Sequence, residues 1–111
     1  MGEAVKYHAR TAVAAAATAQ SFTYTHDPKG KPSRIGIIAC AVDSGTQTGS
    51  VRIYYGNSAG SMVEIGNGTF TAADPTVVLE PNFVIHPGQV IVATYTNITA
   101  GDVISMFIGG H

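Results

Sequence analysis

The sequence predicts an all-β fold: an antiparallel β-sandwich of about eight strands with a non-β N-terminal arm. Apolar residues recur at every second position in short runs, as in NFVIHPGQVIVATYTNITAGDVISMFIGG near the C-terminus. These runs follow one another every 8–12 residues and are separated by turn residues. Thirteen Gly and five Pro are spread along the chain, which favours many turns over long helices. A chain of 111 residues is the size of one domain.

The N-terminal arm is predicted for residues 1–19, and the sandwich domain for residues 20–111. The segment TAVAAAATAQ is rich in alanine and has no stripe of large apolar residues to pack on a core. Lys6 and Arg10 precede it, so the segment loosely imitates a secretory signal peptide. It lacks the leucine-rich run that drives export, and we therefore interpret it as an arm.

The strands begin at residue 20. In QSFTYTH, Phe22, Tyr24 and His26 share one face, and RIGIIACAV is apolar on both faces, which predicts a central strand. Asn67-Gly68 predicts a tight turn. The remaining predicted strands are SVRIYYG, SMVEIG, GTFTA, TVVLE, FVIH, QVIVATYTN and DVISMFIG.

The composition of the chain excludes several classes of function. Charged residues make up only 12% of the chain and the net charge is −1, so no overall field recruits nucleic acid or an anionic membrane. No apolar run approaches the roughly 18 residues of a membrane span. Cys40 is the only cysteine, which excludes an intrachain disulfide, and its apolar surroundings predict a buried hydrophobic residue and not a nucleophile.

We find no pattern that predicts a catalytic, cofactor or metal site. The four histidines have no metal-ligand spacing, and no G-x-S-x-G motif or phosphate-binding loop is present. The carboxylates lie at predicted strand ends and turns, where each is expected to be solvated or to stabilise the turn by hydrogen bonds. The histidines are His8, His26, His86 and His111, and the carboxylates considered for a catalytic pair are Asp43, Glu64, Asp74, Glu80 and Asp102.

One loop concentrates positive charge. HDPKGKPSR carries Lys29, Lys31 and Arg34, opposed only by Asp27. It predicts either a solvated hairpin tip or a docking loop for an acidic protein surface. No aromatic stacking platform accompanies these residues, so nucleic acid is the weaker interpretation.

The run VIHPGQVIVATYTNITAGDVISMFIGGH resembles the C-terminal half of small jelly-roll proteins from tailed-bacteriophage virions. In those proteins a strand ends in a Pro-Gly turn, a long strand ends in Thr-Asn, a Gly-Asp turn follows, and a last strand closes at Gly-Gly. The resemblance extends over residues 35–110. Within that group the length is most similar to that of a capsid decoration, or cement, protein.

The resemblance implies a structural virion protein without catalysis or cofactor, which binds the outside of a phage capsid and stabilises the shell. Its partners would be the major capsid protein and further copies of itself, as a homotrimer, and it would be made in the host bacterial cytoplasm. The candidate capsid contacts are Lys6, Arg10, Lys29, Lys31 and Arg34. A carbohydrate- or receptor-binding module of a tail fibre or baseplate remains the alternative, and a small jelly-roll enzyme is a third interpretation.

Overall fold

The computed structural model of the protein describes residues 6–43, 45–58 and 60–110, with side chains from Ala14 onward. Within these residues the chain forms nine strands and no helix, which confirms the predicted all-β class. The same part of the chain therefore contains no helix that could span a membrane. The strands are β1 (Lys6–Ala14), β2 (Gln20–Thr25), β3 (Ser33–Val42), β4 (Gly49–Ser58), β5 (Ser61–Phe70), β6 (Thr76–Leu79), β7 (Phe83–Ile85), β8 (Val90–Thr96) and β9 (Val103–Gly110).

The strands form two antiparallel sheets. In sheet A the order is β1-β9-β3-β6, with β7 also paired to β3, and in sheet B it is β2-β8-β4-β5. The last two strands thus insert between earlier ones, β9 between β1 and β3 and β8 between β2 and β4. This is the strand order of a jelly roll. The two sheets form a slab of 38 × 37 × 20 Å.

The hydrophobic core lies between the two sheets and is lined by alternate residues of β2 to β9. Tyr95 of β8 is at its centre, fully buried, with the ring of Phe22 edge-on at 5.5 Å and that of Phe70 stacked at 5.8 Å. The Tyr95 hydroxyl donates a hydrogen bond to the carbonyl oxygen of Ser105 in β9, so it joins sheet B to sheet A. The predicted burial of Cys40 is confirmed.

The predicted central strand is confirmed as β3, which pairs with β9 on one side and with β6 and β7 on the other. Between β6 and β7 lies Pro81, which has no N–H to donate to a strand ladder. The outer edge of sheet A is therefore divided into two short strands, as expected where proline occurs at a sheet edge.

The N-terminal segment differs from the predicted arm. Lys6–Ala14 forms β1, which pairs along β9 from Lys6 opposite Gly110 to Ala14 opposite Val103. Of the described part of residues 1–19, only residues 15–19 lie outside a strand. Alanine has low strand propensity, but the unpaired edge of β9 offers a complete row of backbone hydrogen bonds that overrides it.

The turn predicted at Asn67-Gly68 is wrong, because both residues lie inside β5. Gly66 and Gly68 are two positions apart in β5 and therefore lie on the same face of the strand. The side chains of β6 approach that face. A side chain at Gly66 would come within 2.4 Å of Leu79, and one at Gly68 within 2.6 Å of Val77. These glycines therefore permit the close approach of the two sheets and do not form a turn.

Replacing Ile38 by aspartate should unfold or strongly destabilise the domain. Ile38 is fully buried at the centre of β3, and an unpaired carboxylate there costs on the order of 4 kcal/mol. Thermal unfolding followed by circular dichroism measures the effect. The matched control is Thr23→Asp, at an exposed position of β2, whose melting temperature should stay near that of the parent. Equal melting temperatures for the two variants would contradict the placement of β3.

Deleting residues 1–14 should destabilise the sandwich and promote aggregation, because it removes β1 and leaves the whole edge of β9 unpaired. Light scattering and thermal unfolding at increasing protein concentration measure both effects. A chain lacking only residues 1–5 retains β1 and serves as the control. If the two truncated chains are equally stable and equally monodisperse, β1 is dispensable for the sandwich.

Candidate interaction surface

Sheet A presents an apolar surface on its outer side. Along β3 the side chains of Ile38, Cys40 and Val42 are buried in the core, so the residues between them point outward. Exposed valines on the neighbouring strands extend this surface: Val78 is 50% exposed and Val84 is 42% exposed. We define the apolar face as the outer surface of sheet A formed by Ile37, Ala39, Ala41, Val78 and Val84.

The outer surface of sheet B combines polar and apolar residues. Ser21 of β2 and Thr94 of β8 are joined by a hydrogen bond of 3.1 Å between their side-chain oxygens. Val92 of β8 lies on the same side as Thr94. Arg52 and Glu64 form an ion pair of 3.7 Å across β4 and β5. The outer surface of sheet B therefore carries hydroxyl and charged residues that the apolar face lacks.

Four of the five predicted contact residues lie at one end of sheet A, which we call the basic end: Lys6, Lys29, Lys31 and Arg34. β1 begins there and β9 ends there, because Lys6 is paired with Gly110. β3 begins beside them, directly after the loop that carries the two lysines. Arg10 is separate, since it lies opposite Phe107, near the middle of the edge strand.

The loop between β2 and β3 has a defined conformation. Buried His26 donates from Nε2 to the carbonyl oxygen of Lys31 at 2.6 Å and accepts at Nδ1 from the hydroxyl of Tyr24 at 2.8 Å. Asp27 accepts the backbone N–H of Lys29 at its side-chain oxygen, at 2.9 Å. The turn is thus held from inside, while the side chains of Lys29 and Lys31 are exposed.

Arg34 is the first charged residue on the outer side of β3. It is exposed, lies opposite Val84 in the strand register, and donates from Nη1 to Oδ1 of Asn82 at 2.9 Å. This single hydrogen bond engages one of its five N–H groups. The guanidinium therefore keeps donors for a second acceptor.

Carboxylates lie at the opposite end of sheet A, which we call the acidic end. Asp43 follows β3 directly and Asp74 precedes β6, and both are exposed. Asp102 is buried there and accepts hydrogen bonds from the backbone N–H and the hydroxyl of Thr46, at 3.1 and 2.9 Å, so it fixes the loop before β4. Nine residue steps separate Arg34 from Asp43, which places the two charges about 30 Å apart.

The described residues contain no group of three or more His, Cys, Asp or Glu side chains placed to hold a metal ion. His26 is buried within the loop before β3 and His86 lies in the turn before β8. The side chain of His8 and the whole of His111 lie outside the described residues. Of the carboxylates predicted at strand ends and turns, Glu64 differs: it lies within β5, where it accepts from Asn67 at 2.9 Å and pairs with Arg52.

A shallow cleft of about 350 Å³ opens between the end of the β4–β5 hairpin and the turn before β8. Its polar groups hydrogen-bond to one another: the Tyr55 hydroxyl donates to Oε1 of Gln89 at 2.6 Å, and Nε2 of Gln89 donates to Oδ1 of Asn57 at 2.9 Å. The ring of Tyr55 packs on Phe83 at 4.4 Å. These contacts hold the turn against β4. The polar residues of the cleft therefore have a structural role that requires no bound ligand.

Sequence reasoning found the charged residues but not the apolar face. The apolar character of both sides of RIGIIACAV identified a central strand, yet it did not show that one side faces away from the core. That depends on the neighbours of β3 in the sheet, which the sequence does not encode locally. The exposed positions Val78 and Val84 were visible only as members of short β-branched runs.

Neither the family models nor the curated proteins contain a match to this chain. Among solved structures, the crystal structure of PirA is similar over 89% of this chain and 92% of its own, with 12% identity and a TM-score of 0.60. The Drosophila NLP core, described in terms of pentamer formation and histone binding, aligns over 93% of this chain and 96% of its own at 17% identity and a TM-score of 0.44. At such low identity, the similarity to PirA concerns the all-β fold alone.

Burial raises the pKa of the Cys40 thiol from 9.0 to about 11, against a smaller opposing effect of the hydrogen bond with Tyr95. The folded state therefore favours the neutral thiol, and the stability that this provides is complete below pH 9 and lost as the pH rises through about 11. The loss in the free energy of unfolding should reach about 2–3 kcal/mol.

Urea unfolding of the wild type and of Cys40→Ala measures this loss. The difference between their free energies of unfolding should become smaller as the pH rises from 9 through about 11. A pH-independent difference would contradict the burial of the thiol.

Proposed function

We propose that this chain is a non-catalytic phage virion protein that binds the outside of the capsid and stabilises the shell. The observation that carries the proposal is the gathering of Lys6, Lys29, Lys31 and Arg34 at one end of a jelly-roll slab. The whole chain contains six Lys and Arg residues, so most of its positive charge is directed to one end. This distribution suits attachment to an acidic protein surface.

The basic loop is the part that makes the contact with the shell. Its exposed lysines project from a turn that His26 and Asp27 hold in place. A preformed loop loses little conformational entropy on binding, so its charge interactions contribute to affinity more fully. The partner in this proposal is the major capsid protein, at a site lined by Asp or Glu.

The jelly-roll strand order supports the proposal because it is the fold that the resemblance to virion proteins implies. The low share of charged residues, 12%, supports it too, since a surface that is partly covered by neighbours needs less charge. Many copies on one shell would bind with avidity, so each contact need only be weak. The resemblance also predicts a homotrimer, and the mass of the chain in solution, measured by sedimentation equilibrium, tests that prediction.

Shell stabilisation follows from linkage. A protein that binds the assembled shell and not its free subunits shifts the equilibrium toward the shell. Phage particles that lack this chain should therefore release DNA at a lower temperature, and after a weaker osmotic shock, than complete particles. Adding the purified protein back should restore resistance. If both kinds of particle are equally resistant, the stabilising role is excluded and the receptor-binding alternative, tested by glycan-array binding, takes its place.

Charge reversal in the loop tests the contact itself. Lys29→Glu and Lys31→Glu should each weaken binding to particles that lack the chain by roughly 5-fold, because each replaces an attraction by a repulsion. Arg52→Glu is the matched control: it makes the same change of charge on the outer surface of sheet B, where Arg52 is exposed. Equal losses for the loop variants and the control would place the contact elsewhere.

A further inference from the structure

We infer that Tyr55 and Gln89 position the basic loop between β2 and β3, and that they thereby set its affinity for the shell. Neither residue belongs to the loop: Tyr55 lies in β4, and Gln89 directly precedes β8. This role rests on the proposed function, because the loop that they position is the one that makes the shell contact. A series of hydrogen bonds runs from β4 through the turn before β8 to the loop.

The tip of the loop is shaped by local contacts. The side chain of Asp27 accepts the N–H of Lys29, and its carbonyl oxygen accepts the N–H of Gly30, both at 2.9 Å. These bonds stay within the loop, so they do not fix its place on the sandwich. His26 does so, since it follows the last residue of β2 and donates from Nε2 to the carbonyl oxygen of Lys31 at 2.6 Å. The two lysines therefore follow the position of His26.

His26 is joined to the turn before β8 by two backbone hydrogen bonds. Its N–H donates to the carbonyl oxygen of Gln89, and its own carbonyl oxygen accepts the N–H of Gly88, both at 2.9 Å. These bonds lie directly beyond Thr25 and Val90, the last pair of β2 and β8. His26 is 6% exposed, so water competes little for these groups. A displacement of the turn would therefore displace the loop.

The turn consists of His86, Pro87, Gly88 and Gln89, and it is closed by a hydrogen bond of 3.1 Å from the N–H of Gln89 to the carbonyl oxygen of His86. Pro87 occupies the second position and Gly88, with a φ of 85°, the third, as in a type II β-turn. The N–H of His86 also donates to Oε1 of Gln89 at 2.8 Å. The turn therefore moves as a unit, and its contacts with β4 fix its place.

Tyr55 and Asn57 hold the turn against β4 through the side chain of Gln89. The Tyr55 hydroxyl donates to Oε1 of Gln89 at 2.6 Å, and Nε2 of Gln89 donates to Oδ1 of Asn57 at 2.9 Å. Packing of the Tyr55 ring on Phe83 fixes the place of the hydroxyl. Together with the N–H of His86, this hydroxyl fills both acceptor positions of Oε1. Without the hydroxyl one of these positions is empty, and the turn is held less firmly.

A loosened turn should weaken shell binding without any change of charge at the contact. When only a fraction of the molecules has the loop in the binding position, the apparent dissociation constant rises by the inverse of that fraction. The loss of one neutral hydrogen bond changes such an equilibrium by roughly 3–10-fold. Lys29 and Lys31 keep their charges, so a loss of this size reports the position of the loop.

Amide hydrogen exchange of the purified full chain tests the positioning directly. Tyr55→Phe should speed exchange of the N–H groups of His26 and Gly88 by roughly 3–10-fold, because these groups join the loop to the loosened turn. Asn57→Ala removes the other hydrogen bond between β4 and the side chain of Gln89, so it should change exchange in the same direction.

Tyr54→Phe is the matched control. It removes a hydroxyl from the neighbouring residue of β4, which is paired with Val92 and lies on the outer side of sheet B. Exchange at His26 in this variant should equal that of the wild type. The N–H of Val42, which is bonded to Pro75 at the acidic end, is the internal control. Its exchange should rise less than that of His26, which separates a loosened turn from a destabilised sandwich.

Binding to particles that lack the chain tests the consequence. Tyr55→Phe should weaken binding by roughly 3–10-fold, and Tyr54→Phe should leave it unchanged. Lys29→Glu should weaken binding less in the Tyr55→Phe chain than in the wild type, because the loop is already displaced. Arg52→Glu, on the outer surface of sheet B, should show no such coupling with Tyr55→Phe.

The positioning role would be overturned by unchanged exchange at His26 in Tyr55→Phe, by equal effects of Tyr54→Phe and Tyr55→Phe, or by equal increases of exchange at His26 and Val42. Additive losses of binding for Lys29→Glu and Tyr55→Phe would also overturn it. A wild type that does not bind shells, with faster exchange at His26 in Tyr55→Phe, would contradict the proposed function and leave the positioning of the loop intact. A wild type that binds shells, with no effect of Tyr55→Phe on exchange or binding, would do the reverse.

Discussion

The two sheets are held in register by the side chain of Tyr95, which crosses the core from β8 to the backbone of β9. Its hydroxyl donates to the carbonyl oxygen of Ser105, and its ring packs against Phe22 and Phe70. A buried hydroxyl without a partner costs free energy, so the phenol has one favourable depth between the sheets. Burial also raises the pKa of Tyr95, which keeps the hydroxyl protonated and able to donate.

The distance that Tyr95 sets between the sheets affects the rest of the sandwich. The sheets come so close at the β5–β6 edge that Gly66 and Gly68 meet the side chains of Leu79 and Val77 directly. β3 and β9 are then confined to the middle of sheet A, with one side filled by the core. Their other side faces away from the core, and beside β3 it carries the half-exposed Val78 and Val84 of the apolar face.

The ends of the sandwich acquire their charges from the loops. β3 begins after a loop with two lysines and ends before Asp43, so one strand carries opposite charges at its two ends. Both end loops are held by buried polar residues, His26 at the basic end and Asp102 at the acidic end. The two loops are fixed, carry opposite charges and lie about 30 Å apart. This separation of charge can orient the protein when it binds a shell or a second copy.

Local pattern determined the all-β class, most strand positions, the central place of β3 and the burial of Cys40, because alternation and β-branched residues act within a few residues of the chain. It also identified the charged loop with Lys29, Lys31 and Arg34. Tertiary structure decided what depends on distant partners. The free edge of β9 made a strand of the alanine-rich Lys6–Ala14, and the approach of β6 kept Asn67-Gly68 extended. The apolar face and the separation of charge were decided in the same way, since strand order brings Lys6 to the same end of sheet A as Arg34 and places Ala39 on the outer side. Strand order is set by which edges pair across the whole chain, and no local window of sequence contains that information.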